Sequence, residues 1–295
     1  MHPFEYQKVS TLSDAVDAIA DSKGLSVLMA GGTDLLLRIK EGVIRPERVI
    51  DMKGIPQMSG ISISGDECII GTMTSIRALE TSSDLRAHAP LLGQAASKLG
   101  SVQVRNRATI GGNLCNAAPS AETAPALLAL DAQAEIFGRT GTKIIDLQSF
   151  FIGPGSTVLE DGEILTALKI PLTGHRQGAV YYNLTTRNAM DIAFVGVAVL
   201  LELDDDDRID KARIALGAVA PTPIRAPSAE KVLEGRAFDR ETVRESGELA
   251  ARACQPISDL RASAAYRREM VRSLCRRGVR AAYDQAKSLK ESDKG

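Results

Sequence analysis

Residues 107–131, RATIGGNLCNAAPSAETAPALLALD, organise the reading of this chain. A short apolar step leads into Gly111-Gly112. Small and polar residues follow (Asn113, Asn116, Ser120), and TAPALLAL closes the stretch with helix formers. A loop of this composition offers free backbone N–H groups and few bulky side chains, so an anion can approach the main chain closely. The helix after it would add its positive end. Residues 28–42, LMAGGTDLLLRIKEG, repeat the design: apolar strand, Gly31-Gly32, Thr33 and Asp34, then an apparent helix. Either pair alone is an ordinary tight turn in which glycine supplies positive φ. Two such steps, both with hydroxyl or amide neighbours (Thr33, Thr109, Asn113), point to one extended ligand with a diphosphate at its middle. Neither glycine loop contains a lysine, and recognition by backbone N–H groups needs none.

With 295 residues the chain can bury an ordinary core and has room for two domains. A 44% hydrophobic and 25% charged composition is that of a globular protein. The net charge of -1 gives no global steering toward nucleic acid or an anionic membrane. No apolar run approaches the roughly 20 residues of a membrane span. The opening MHPFEYQKVSTL lacks the order of a secretory signal, which favours the cytoplasm. The cysteines, at 68, 115, 254 and 275, form no C-x-x-C pair and support neither a zinc site nor an iron–sulfur cluster. Cys115 lies inside the glycine stretch, where it serves as a small apolar residue.

Along the chain, Ser10 to Ala20 reads as a helix capped by Ser13, and Leu25 to Met29 as a strand feeding the first glycine pair. Asp34 to Lys40 reads as a helix closed by Gly42, and residues 49–52 as another strand, making residues 1–55 a small α/β unit. Ile61 to Thr72 is a hairpin turning at Gly65-Asp66. Helices are expected at 75–81, 90–99 and 123–130, with Pro90 as a start signal. A second hairpin turns around Gly138 and Gly141, and a strand from Glu163 to Ile170 ends at Pro171. Residues 174–178, GHRQG, read as a linker. Strands at 179–187, 192–203 and 212–219 follow, with Asp204 to Asp207 as a solvated hairpin tip. Helices at 228–233, 240–254 and 266–286 come next, and Lys287 to Gly295 is a frayed charged tail. The succession makes an α+β chain.

Several chemistries are excluded. The three histidines, His2, His88 and His175, have no nucleophile motif nearby, and no G-x-S-x-G elbow, H-E-x-x-H or Walker A sequence is present. The G-x-G-x-x-G fingerprint is absent; Gly153-Pro154-Gly155 begins like one, but Val158 stands where its last glycine belongs. A dinucleotide held without that fingerprint suits a flavin, which carries the redox chemistry itself and asks the protein for position and electrostatics.

AGGTDLLLRIK followed by VRNRATIGGNLCNAAPSAETAPALLALDA strongly resembles the FAD-binding medium subunit of the molybdenum hydroxylases, the xanthine dehydrogenase and carbon monoxide dehydrogenase family. The resemblance covers nearly the whole chain. It implies a two-part FAD-binding domain of the PCMH (vanillyl-alcohol-oxidase-like) type, residues 1–55 and 56–173. A C-terminal flavoprotein domain, residues 178–286, would carry a three-stranded antiparallel sheet with helices. It implies FAD as cofactor, no metal, a large molybdopterin-binding partner and a small 2Fe-2S partner, assembled as a dimer of heterotrimers. Electrons would arrive from the clusters and leave to an external acceptor: NAD+, a quinone, oxygen or another carrier.

The resemblance also assigns residues. Leu28, Met29, Ala30, Gly31, Gly32, Thr33, Asp34 and Leu35 match the first FAD loop, and Thr109, Ile110, Gly111, Gly112 and Asn113 the second. Glu122 stands where relatives often carry an aspartate bonded to the sugar side of the cofactor. Leu99, Ile164 and Leu165 match positions near the isoalloxazine, and plain core is their other reading. Asn183 stands where several relatives have lysine. Asp191 matches a position close to the cofactor domain and could equally turn the chain before the next strand. No catalytic side chain is expected. A self-contained flavin reductase or oxidase is the alternative, since UDP-sugar reductases share the topology and act alone. A scaffold that kept the fold and lost FAD is a third reading, which the intact glycine loops oppose.

Overall fold

The computed structural model describes residues 2–20, 25–172, 176–187 and 190–292. The first layer is a parallel sheet. It holds β1 (Glu5–Lys8), α1 (Leu12–Ala20), β2 (Ser26–Met29), α2 (Leu35–Lys40) and β3 (Arg48–Asp51), with strand order β1-β3-β2. Val49 and Ile50 of the central strand are fully buried. Ala15, Val16 and Ala18 form the buried face of α1. Thr11, not Ser13, accepts the Asp14 N–H at 3.1 Å, because the helix begins at Leu12 and Ser13 already lies inside its first turn. The polar strand β1, EYQK, carries no hydrophobic period, yet its main chain pairs with β3.

The middle of the chain builds a second, antiparallel sheet. Its elements are β4 (Ile61–Ser64), β5 (Glu67–Gly71), α3 (Ile76–Thr81), α4 (Ser83–His88), α5 (Pro90–Lys98), α6 (Val102–Arg105), α7 (Ile110–Cys115) and α8 (Thr123–Ala129). After these come β6 (Gln133–Gly138), β7 (Gly141–Asp146), the small hairpin β8 (Phe151–Gly153) and β9 (Ser156–Thr157), and β10 (Ile164–Pro171). The strand order is β4-β5-β10-β6-β7. Hydroxyl caps start the short helices: Ser75, Ser82, Ser101 and Thr109 each accept the N–H three residues on. Every residue of α8 is buried, which fits a helix that is apolar on all sides.

The third sheet has β11 (Gln177–Leu184), β12 (Val195–Leu203), β13 (Arg208–Gly217) and β14 (Ile224–Arg225) in that order. Beyond α9 (Pro227–Lys231), the short β15 (Arg236–Ala237) pairs with β13; α10 (Arg240–Ala253) and α11 (Ala264–Ser292) end the described chain. The three long antiparallel strands match the expected sheet, and β14 and β15 extend it. Strand alternation splits β12 between two cores: Val197, Val199 and Leu201 pack under α10 and α11, while Ala198 and Leu200 join the core around α5 and α8. Small residues on that second face let the layers close up. A side chain at Gly217 would meet Pro125 Cγ at 2.8 Å.

Several boundaries differ from the expectation. Gln177 and Gly178 belong to β11 rather than to a linker, and residues 173–175 of that segment lie outside the described residues. Residues 287–292 continue α11 instead of fraying, and residues 293–295 of that expected tail lie outside the described residues. Residues 110–115 are a helix, not a loop. Among the described residues, no helix is long and apolar enough to cross a membrane and no cluster could hold a metal.

Candidate cofactor site

The first glycine pair lies at the carboxyl end of β2, where parallel sheets open a crevice for ligands. Gly32 has φ +78°, a left-handed conformation that glycine adopts without strain. Gly31 is pressed on the chain just before the second pair: a Cβ there would lie 2.1 Å from Arg107 O and 2.9 Å from Ala108 Cα. The two glycine segments therefore meet across one cleft, which encloses about 960 Å³ with its open mouth included. One wall is the β2–α2 loop with Leu28, Ala30, Gly31, Gly32, Thr33, Asp34 and Leu35. The opposite wall is α7 with Thr109, Gly111 and Gly112. Ile164 and Leu165, at the start of β10, line the cleft with Leu159 and give it an apolar end.

The two segments are chemically unlike. In the first, the N–H groups of Gly31, Gly32, Thr33 and Asp34 have no hydrogen-bond partner among the described residues. In the second, every N–H from 110 to 113 is consumed. Ile110 donates to Thr74 O (3.1 Å), Gly111 to Thr72 O (2.8 Å) and Asn113 to Thr109 O (3.0 Å). Gly112 donates to Thr109 Oγ1 at 3.1 Å. The expectation of two equivalent cradles is thus corrected. Gly111 is required because a Cβ would lie 2.6 Å from that of Thr72, and α7 supplies a wall. Both α2 and α7 are six residues long, so neither brings much dipole.

The remaining candidates spread around this cleft. Met29 turns to the core of the first layer with Ile39 and Val49, and Ile110 is fully buried. Asn113 Oδ1 accepts from Thr123 Oγ1 at 2.6 Å, tying α7 to α8. Leu99 packs on the central core, and its carbonyl accepts from Arg105 at 3.0 Å. Glu122 is buried and takes a 2.7 Å hydrogen bond from the Tyr181 hydroxyl of β11. Burial pushes its pKa up to about 7, against hydrogen bonds from Tyr181 and Asn183 and the charge of Lys98. Glu122, Tyr181 and Asn183 thus form one cluster where the third sheet joins the second, apart from the cleft walls. Asp191 closes a turn, accepting from Arg187 N (2.8 Å) and Ile192 N (2.9 Å).

Sequence reasoning missed Arg38, Met52, Thr72, Met73, Cys115, Asn116, Leu159 and Glu163, all of which line the cleft. Glu163 is bonded by Glu160 N–H at 3.0 Å and Lys143 Nζ at 2.5 Å, which hold its carboxyl below the usual range despite some burial. Only Arg38, Cys115 and Asn116 carried any signal, by lying in the quoted glycine stretches.

The cleft fits a flavin dinucleotide: free N–H groups with no side chain over Gly31, and an apolar end for a flat ring. Comparison with known proteins agrees. Residues 2–173 match the family described as FAD binding domain in molybdopterin dehydrogenase, and residues 180–282 that of the CO dehydrogenase flavoprotein C-terminal domain. The xanthine dehydrogenase FAD-binding subunit of Escherichia coli O157:H7 is 33% identical over 276 residues, covering 93% of this chain and 94% of that one. The carbon monoxide dehydrogenase medium chain of Hydrogenophaga pseudoflava is 32% identical over 280 residues, covering 95% and 97%. A solved carbon monoxide dehydrogenase from the same organism superposes with a TM-score of 0.93 at 33% identity, covering 97% of this chain and 99% of that chain. The chain therefore belongs to the FAD-binding medium subunits of molybdenum-dependent dehydrogenases of the xanthine and carbon monoxide dehydrogenase type. It is an oxidoreductase subunit, and its cofactor is FAD.

Proposed function

We propose that this chain is the electron-exit subunit of a three-part complex. A small partner would deliver electrons from 2Fe-2S clusters, and a large molybdopterin-binding partner would oxidise the substrate. The flavin, when bound, supplies the step between one-electron and two-electron carriers. The chain's own residues hold it. The free N–H groups of Gly31 to Asp34 face the diphosphate, and α7 closes the other side through Thr109, Gly111 and Gly112. Ile164 and Leu165 bound the apolar end of the cleft. The observation that carries this reading is the contact of Gly31 with the main chain at Arg107 and Ala108, which brings both glycine segments to one cleft.

On this reading residues 1–55 and 56–173 are two parts of one FAD-binding domain, and residues 178–286 are the flavoprotein domain. The acceptor is NAD+, a quinone, oxygen or another carrier, and the complex, a dimer of heterotrimers, works in the cytoplasm. The test is a visible spectrum of the complex with flavin quantified per chain, followed by reduction with substrate. Flavin near one per chain, reduced only when both partners are present, is expected. Full reduction of the isolated chain by its own substrate would overturn the three-part reading.

A further inference from the structure

A diphosphate brings negative charge into a cleft whose backbone donors are neutral, and the charged groups there are few. Glu163 is occupied by Lys143. Lys53, near the first loop, has its Nζ 2.7 Å from Asp51 Oδ1, and that neighbour cancels its charge. Arg38 lines the same cleft, is exposed, and forms no ion pair or side-chain hydrogen bond with any described residue. Asp34, the residue that precedes α2, stands one turn before it, at the spacing where an acid followed by a base usually meets, yet the two make no ion pair. Helical side chains lean toward the N-terminus of their helix, which here is the end that carries the free N–H groups of residues 31–34.

We propose that Arg38 is a cofactor-binding residue, its guanidinium clamping the FAD diphosphate from the side opposite α7. The inference rests on FAD occupying this cleft and adds the cation that the glycine segments lack. A guanidinium suits the task because its planar fork can hold two phosphate oxygens at once, whereas an ammonium is a point charge. Counter-charge from a side chain also explains how α7 can border a diphosphate while its own first N–H groups are spent internally.

The experiment titrates FAD into the full-length protein stripped of flavin, following quenching of flavin fluorescence at low and high salt. Arg38→Gln is expected to weaken binding about tenfold at low salt, the scale of one charge-assisted hydrogen bond. It should also flatten the salt dependence of Kd, because a screened charge has been removed. Arg38→Lys should fall between the two. Riboflavin, which lacks phosphate, should bind the wild-type protein and Arg38→Gln alike. Melting curves of the variants should be unchanged, since the exposed side chain makes no ion pair or hydrogen bond with any described residue. Wild-type Kd and salt slope in Arg38→Gln, alongside loss of FAD in Gly31→Val, would overturn the inference and leave the cleft assignment standing. Failure of the wild-type chain to take up FAD at all would overturn both.

Discussion

Gly31 has no room for a side chain, because the carbonyl of Arg107 lies where the first carbon would go. Gly31→Val must therefore push the first loop away from α7. The expected outcome is loss of visible flavin absorbance from the purified protein, with destabilisation of about 1–3 kcal/mol from overpacking measured by thermal melting. Glu122 gives a second test. Its carboxyl is buried and titrates near pH 7, well above its ordinary value. Its contribution to stability is complete at pH below the unfolded value and disappears as the pH rises through 7. Glu122→Gln should match the wild type near pH 4 and exceed it above pH 8, by on the order of 3 kcal/mol. Melts at the two pH values decide this, and equal pH profiles would show that the carboxyl is not buried as described. The glycine positions were legible from their repeated setting. The state of their N–H groups was not, because it depends on Thr72 and Thr74, far from both in sequence. Arg38 reads as the solvent face of a helix until the cleft beside it is seen.

At the scale of elements, the long strands of the third sheet were legible because Val195 to Leu203 is nearly all apolar. So was the α/β pattern around β2 and β3. What escaped was short or polar. β1 is held by main-chain pairing and by side-chain bonds from Glu5 to Arg48 and from Tyr6 to Asp51, α4 is started by the Ser82 cap, and β14 and β15 have two residues each. The helix at 110–115 was hidden by its glycines, which are poor helix formers and are placed there by packing against Thr72. Arg267 shows how one helix fixes three loops. It is buried in α11, donates to Phe194 O (3.0 Å) and Ala218 O (2.9 Å), and pairs with Asp259 at 2.7 Å. Removing it in Arg267→Met should cost about 3 kcal/mol, because two carbonyls and a carboxylate lose their donor. A urea midpoint shifted by much less would mean that the three loops are held some other way.

At the scale of the molecule, the second and third sheets share one core. Ala179, Tyr181, Ala198 and Ala215 of the third sheet pack with α5 and α8, and Gln94 bonds both the carbonyl of Ala179 and the N–H of Tyr181. Asp131 adds ion pairs to Arg213 and Arg225. An isolated fragment ending near residue 173 would expose that face. It should aggregate or melt well below the intact chain, as light scattering during a thermal ramp would show. In the proposed assembly, native mass spectrometry should find the chain with two partners, doubled.

The cleft draws on residues 28–35, Arg38, Met52, Thr72, Met73, 109–116 and 159–165, stations that extend from β2 to the start of the central strand β10. A ribosome that has released the first glycine segment has therefore released nothing able to capture a prosthetic group. A complete flavin cleft is expected only after more than half of the chain has been synthesised, which places loading late in biogenesis.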